Sequence, residues 1–350
     1  MSGTLVANKQ EKQMAKMIRW GVLGGSSWIA RDAIMPGIRK SRNGMLEALA
    51  SRNPAEMRRR FGEEAGVRLM SYDELLADPA IDAIYIPLPN SMHAEWSIKA
   101  AAAGKPVLCE KPLGLNAAET ARIAESFART GLPLMESFMY RFHPQHRRVR
   151  EIIDSGAIGD VVEVRVHLSN DMMNPPDPNN VRFDPSLGGG VLLDMGCYMV
   201  SASRMIMQAE PLSVRGWHKI DKRFGVDVAC GGILEFPGGR MATVSCSFET
   251  SGLGHYSVIG RKGMIEVPRA LVLGLGKFVA EALIITVDKN GKRQEETMPA
   301  NDHYQLVVEA FADALLKGEP VPLSPQDSIN NAKVLDALAK SITEGRDVKL

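Results

Sequence analysis

The chain has 350 residues, 45% hydrophobic and 24% charged, with 42 basic against 41 acidic residues and a net charge of +1. That length exceeds one ordinary hydrophobic core and predicts two domains; so even a charge balance excludes nucleic acid and anionic lipid as electrostatically attracted partners. The four cysteines, Cys109, Cys197, Cys230 and Cys246, form no CxxC pair and read as buried thiols of a reducing compartment.

Residues 1–16 are polar and mixed in charge, which predicts a flexible extension without the apolar centre of a signal peptide. No run of about 18 apolar residues exists to span a membrane, so the expected location is cytoplasmic. From 17 to 140 short apolar runs alternate with amphipathic stretches. Strands are predicted at 18–23, 46–50, 83–86, 107–109 and 134–137. Helices are predicted at 29–40, from Pro54, after the capping box Ser71-Tyr72-Asp73-Glu74, at 91–103 and at 117–130. Strand–helix alternation at this spacing means βαβ units and a parallel sheet. After a helix at 144–155 the rhythm changes. Alternating strands at 161–168, 229–235, 241–248, 255–267 and 282–288, with Pro237-Gly238-Gly239 as a hairpin turn, predict a mostly antiparallel sheet over 141–350. Residues 171–184, rich in Pro and Asn, form a long loop, and helices at 304–316 and 327–342 close the chain.

The turn after the first strand, Gly24-Gly25-Ser26-Ser27-Trp28-Ile29, lies where a dinucleotide pyrophosphate meets a helix N-terminus. Its match to GxGxxG is imperfect: Ser26 replaces a glycine and one extra residue follows. The second strand ends in Ser51-Arg52 rather than in a carboxylate. A carboxylate would hold the ribose diol of NAD and repel a 2′-phosphate, whereas a hydroxyl and a guanidinium bind one, so NADP is expected over NAD.

Two further segments carry chemistry. Glu110-Lys111-Pro112 ends an apolar run, and Gly188-Gly189-Gly190 leads to Asp194 and Tyr198, which share a helix face at i and i+4. Tyr198 is read as proton donor or acceptor, with Lys111 lowering its pKa from about 10. Asp194 orients the substrate hydroxyl or the lysine, and the three glycines let the backbone approach nicotinamide and sugar. Each has a plainer reading: Lys111 as an exposed strand-end lysine, Asp194 as a helix N-terminal charge, Tyr198 as a core aromatic and Arg52 as a solvated turn residue. His143 and His146 have metal-like spacing without a third ligand, so no metal is expected.

These segments, with Ile84-Tyr85-Ile86-Pro87-Leu88-Pro89-Asn90-Ser91-Met92-His93 and Tyr140-Arg141-Phe142-His143-Pro144-Gln145, resemble the glucose–fructose oxidoreductase / inositol dehydrogenase / rhizopine-catabolism (Gfo/Idh/MocA) family along nearly the whole chain. The resemblance implies an α/β Rossmann domain, a doubly wound parallel sheet, over 17–140. It implies an α+β substrate domain with a large, mostly antiparallel open sheet over 141–350 that often builds a homodimer or homotetramer. It implies catalysis by Lys111, Asp194 and Tyr198, cofactor contacts from Leu88, Pro89, Asn90, His93, Glu110, Lys111 and Arg141, and substrate contact from Arg182. A tyrosine at 198 resembles the branch of D-xylose and dihydrodiol dehydrogenases, which implies oxidoreduction of a sugar or vicinal diol with NADP. The alternative is a non-catalytic regulator that binds NADP and sugar.

Overall fold

The computed structural model describes residues 16–61, 66–275 and 278–350. The extension expected over 1–16 lies outside the described residues except for Lys16. In the first half, β1 (Ile18–Leu23), β2 (Gly44–Ala50), β3 (Arg68–Met70), β4 (Ala83–Ile86), β5 (Val107–Cys109) and β6 (Leu134–Glu136) pair in parallel, in the spatial order β3-β2-β1-β4-β5-β6. Helices α1 (Met35–Lys40), α2 (Pro54–Phe61), α3 (Tyr72–Ala77), α4 (His93–Ala102) and α5 (Ala117–Thr130) connect them. β4 and β5 are buried along their whole length, as strands covered on both faces must be. Gly21 permits this in β1, because a Cβ there would lie 2.8 Å from Leu75 Cδ1 of α3. The predicted capping box closes as expected: Glu74 N donates to Ser71 Oγ and Ser71 N to Glu74 Oε2, at 3.3 and 2.7 Å.

After α6 (Pro144–Asp154) a nine-stranded sheet takes over. Its strands are β7 (Val161–Ser169), β8 (Ser213–Asp221), β9 (Val226–Phe236), β10 (Arg240–Ser247), β11 (Leu253–Gly260), β12 (Gly263–Val267), β15 (Ala282–Asp288), β16 (Arg293–Met298) and β17 (Val348–Lys349); β13 (Gly274–Leu275) and β14 (Phe278–Val279) form a separate short hairpin. All neighbours in the large sheet run antiparallel except β7 and β10. Its inner face packs on α7 (Cys197–Met207) and α9 (Pro325–Glu344). The closing helices also grip the first half. From α8 (His303–Lys317), Phe311 packs on Trp20 with centroids 5.6 Å apart, and Asp336 of α9 accepts from Ala117 N at 2.9 Å.

Strands β3, β8, β13, β14, β16 and β17 have no counterpart in the sequence reading. β16, Arg293-Gln294-Glu295-Glu296-Thr297-Met298, is a charged edge strand; its pairing comes from the backbone of β15, and charges on an edge discourage further strand addition.

Candidate active site

The parallel strands reverse their order between β1 and β4, and the crevice beyond their carboxyl ends is where such sheets bind ligands. A cavity of about 1210 Å³ opens there. The β1 and β2 turns form one end, the loops after β4 and β5 its floor, and the 171–184 loop with the ends of β7 and β11 its far wall.

Gly24, Ser26, Ser27, Trp28, Ile29, Ser51 and Arg52 line the first end. Gly24 and Gly25 both donate their amides to Ala50 O at 3.0 Å, and Ser27 N donates to Gly24 O at 2.9 Å, so these amides are engaged within the fold. A π-helical segment, Ala30–Ile34, follows the turn ahead of α1. A π turn holds one more residue than an α turn, and such bulges concentrate at functional sites. Arg52 is exposed, and its guanidinium has no carboxylate partner among the described residues. Leu88, Pro89 and Asn90 line the floor, and Asn90 Nδ2 donates to Gly188 O at 2.8 Å, tying the two halves together.

At the centre, Lys111 Nζ donates to Asp194 Oδ1 and to Asp194 O, both at 2.8 Å. Arg182 Nε donates to Asp194 Oδ2 at 2.7 Å. Burial opposes ionisation of Asp194, but Arg182 and Lys111 outweigh it and hold the carboxyl far below its usual range. Burial likewise opposes the charge on Lys111, and Asp194 more than restores it. Lys111 Nζ stands 5.1 Å from the Tyr198 ring centroid, over the ring face. The Tyr198 hydroxyl donates to Met139 Sδ at 3.4 Å. Burial pushes this phenol well above an ordinary tyrosine, with Tyr304 and Glu110 adding to the effect. The expected lowering of the Tyr198 pKa by Lys111 is therefore corrected: the ammonium is held by Asp194 and faces the ring. Glu110 lines the cleft and accepts from the Tyr85 hydroxyl, and burial raises its pKa.

Residues 18–138 match the oxidoreductase family with an NAD-binding Rossmann fold, and 146–266 match the GFO/IDH/MocA C-terminal domain. A D-xylose 1-dehydrogenase (NADP(+)) of Haloferax volcanii is 36% identical over 333 residues, 95% of this chain and 99% of that protein. The chain belongs to the GFO/IDH/MocA oxidoreductase family. Among solved structures, an aldose–aldose oxidoreductase from Caulobacter crescentus complexed with glycerol superposes with a TM-score of 0.85 at 27% identity, covering 96% of this chain and 100% of that one. A 3-ketoreductase from Actinomadura kijaniata in complex with NADP and TDP-benzene superposes at 0.84 with 29% identity, covering 93% and 98%. The six-stranded parallel sheet and the mostly antiparallel second sheet are those of this family.

Some expected members of the site lie elsewhere. Gly25 does not line the cleft; it is buried where a Cβ would approach Leu49 Cβ to 3.0 Å. His93 is fully buried, its ring nitrogens 2.8 Å from Leu88 O and Pro112 O, so it links the β4 loop to the end of β5 and does not line the cleft. Arg141 pairs with Asp327 at 2.7 Å in a separate cavity beside Arg204, because the short helix Met139–Phe142 turns it away from the cleft. His143 accepts from Gln145 N at 3.2 Å and His146 contacts Tyr256 and Ala270, which accounts for their spacing. The glycine run lines the cleft and is also constrained from within the fold. A Cβ on Gly188 would lie 2.4 Å from Leu115 Cδ2, one on Gly189 2.6 Å from Arg182 O, and one on Gly190 2.1 Å from Asp227 Oδ1. The protein's own packing demands these glycines.

Sequence reasoning missed Asp227, which accepts from Leu192 N at 2.7 Å and anchors the π-helical segment Leu192–Gly196 that carries Asp194. It also missed Tyr304, which reaches the cleft from α8. Neither sits in a local motif; each is recruited by tertiary packing.

Proposed function

We propose that this chain is an NADP-dependent oxidoreductase that passes a hydride between nicotinamide and the hydroxyl or carbonyl carbon of a sugar or related vicinal diol. The observation that carries this reading is the meeting of Lys111, Asp194 and Tyr198 in one cleft at the carboxyl ends of a parallel sheet. The residues present fit the dinucleotide. Gly24, at φ 119, keeps the turn open where a Cβ would lie 2.9 Å from Leu88 Cδ2, and Ser51 and Arg52 would hold the 2′-phosphate. The D-xylose 1-dehydrogenase (NADP(+)) and the ketoreductase in complex with NADP among the relatives support the same cofactor.

The cofactor supplies or accepts the hydride when bound. Tyr198, kept protonated by burial, donates its proton to a carbonyl oxygen during reduction and recovers it during oxidation. Asp194, fixed as a carboxylate, holds Lys111 and Arg182 in place around the reacting carbon. Lys111 keeps its charge and stabilises negative charge that develops on that oxygen. Two copies are expected to meet through the outer face of the nine-stranded sheet, where Trp217 is 62% exposed and Ile233 48%.

Tyr198→Phe tests the assignment. Turnover of the best sugar in a panel should fall roughly 10²–10⁴-fold, the usual share of general acid–base catalysis, while NADPH fluorescence still reports binding. Unchanged turnover would remove Tyr198 from the mechanism. NADPH and sugar binding by the unaltered chain without turnover of any sugar would favour a regulator.

A further inference from the structure

The substrate half of the cleft has a charge pattern of its own. Four cations line the cavity: Arg52, Lys111, Arg182 and Arg269. Arg52 lies at the β2 end. Lys111 and Arg182 share the single carboxylate of Asp194, which leaves that cluster with one net positive charge. Arg269 is exposed, and its guanidinium has neither an ion pair nor a hydrogen bond among the described residues. The wall around it is built from Leu168, Ser169, Asn170, Gly254, Pro268 and Val272, and it contains no carboxylate.

The backbone that carries Arg269 is firmly held. Beyond β12, Ala270 N donates to Gly254 O at 2.6 Å, and Arg269 bridges Gly254. Gln145, fully buried, donates Nε2 to Arg269 O at 3.1 Å and to Ala270 O at 3.3 Å. His146 Nε2 lies 3.1 Å from Ala270 O, and burial pushes this ring down to about 3, so it is neutral and donates there. Two buried side chains of α6 thus pin the segment that presents Arg269 to the cavity. A guanidinium offers a planar fork that suits phosphate and carboxylate oxygens.

We propose that Arg269 recognises an anionic substituent on the substrate, so that the sugar is a phosphate ester, a sugar acid or a nucleotide sugar and not a neutral aldose. This rests on the oxidoreductase reading for the chemistry but is tested by binding alone. Calorimetric titration of the NADP-loaded protein with D-glucose, D-glucose 6-phosphate, D-glucuronate and dTDP-glucose separates the sources of the anion. At least one anionic member should bind roughly 10–100-fold more tightly than glucose, the range of a charge-assisted pair, with the advantage shrinking as salt rises. Arg269→Gln should erase that advantage and Arg269→Lys should keep part of it, each variant being checked for an unaltered thermal midpoint. Equal affinity for glucose and all three anions, or an advantage that survives Arg269→Gln, overturns the proposal. Tight, Arg269-dependent binding with no turnover would uphold it and sink the oxidoreductase reading instead.

Discussion

Asp194 answers two cations at once, and the site depends on that. It sits between Lys111 and Arg182 with one oxygen on each, nearly out of solvent. Asp194→Ala would leave two charges uncompensated in a low-dielectric pocket and should cost about 3–5 kcal/mol in chemical denaturation, besides abolishing turnover. Tyr198 belongs to the same scale. Because burial holds the phenol well above its ordinary value, the turnover number for sugar reduction should show no tyrosine titration between pH about 6 and 9. An inflection in that range that disappears in Tyr198→Phe would contradict the assignment. At the other end, Arg52→Ala should weaken NADPH binding roughly 10–100-fold and leave NADH almost untouched, since only the former carries a phosphate for the guanidinium. Lys111, Asp194 and Tyr198 could be singled out as a group because the Glu-Lys-Pro and Asp-x-x-x-Tyr patterns are local, and the fold brings the three together. The protonation state of Tyr198 was not, since Met139, Phe138 and Tyr140 close around it only in the fold.

Strand and helix periodicity located β1, β4, β5, α5 and the β9–β10 hairpin, where apolar runs and turn residues agree with the final packing. It failed for β8, whose outward face carries Trp217, and for β16, whose residues are nearly all polar; both are strands because a neighbour's backbone pairs with them. The π-helical segments at Ala30–Ile34 and Leu192–Gly196 escaped as well, because a 3.6-residue pattern carries no mark of one inserted residue. The first begins directly after Ile29, which lines the cleft, and the second lines it through Asp194 and Met195. The second is held by Asp227, which leaves no room beside Gly190. That glycine adopts φ 107, and Gly190→Ala should therefore lower stability by about 2–4 kcal/mol, measured as a shift in the urea midpoint. A midpoint within experimental error of the parent would show that the Asp227 contact yields freely.

The whole molecule records its buried ionisable groups in the pH dependence of its stability. Burial pushes His143 and His303 down to about 4 and His146 to about 3, from 6.5 in an open chain. The unfolded chain therefore binds more protons below pH about 6.5, and stability falls as pH drops from there toward 4. Glu136 works in the opposite sense. Burial raises it to about 7, so its protonated form is favoured by folding, and the stability it contributes is lost as pH rises from about 4.5 through 7. Three histidines outweigh one carboxyl, so the calorimetric midpoint should decline from pH 6.5 to pH 4; a midpoint constant over that range would contradict the burial of these rings. The two sheets, the seam closed by α8 and α9 and the cleft between them then serve one end, the alignment of a carbon of the substrate with the nicotinamide. Incubation of the protein with NADPH deuterated at the nicotinamide C4 and a carbonyl sugar measures that alignment directly by NMR. Deuterium should appear at the former carbonyl carbon, transferred from one face of the ring; a reduced sugar carrying only solvent hydrogen at that carbon would contradict direct hydride transfer.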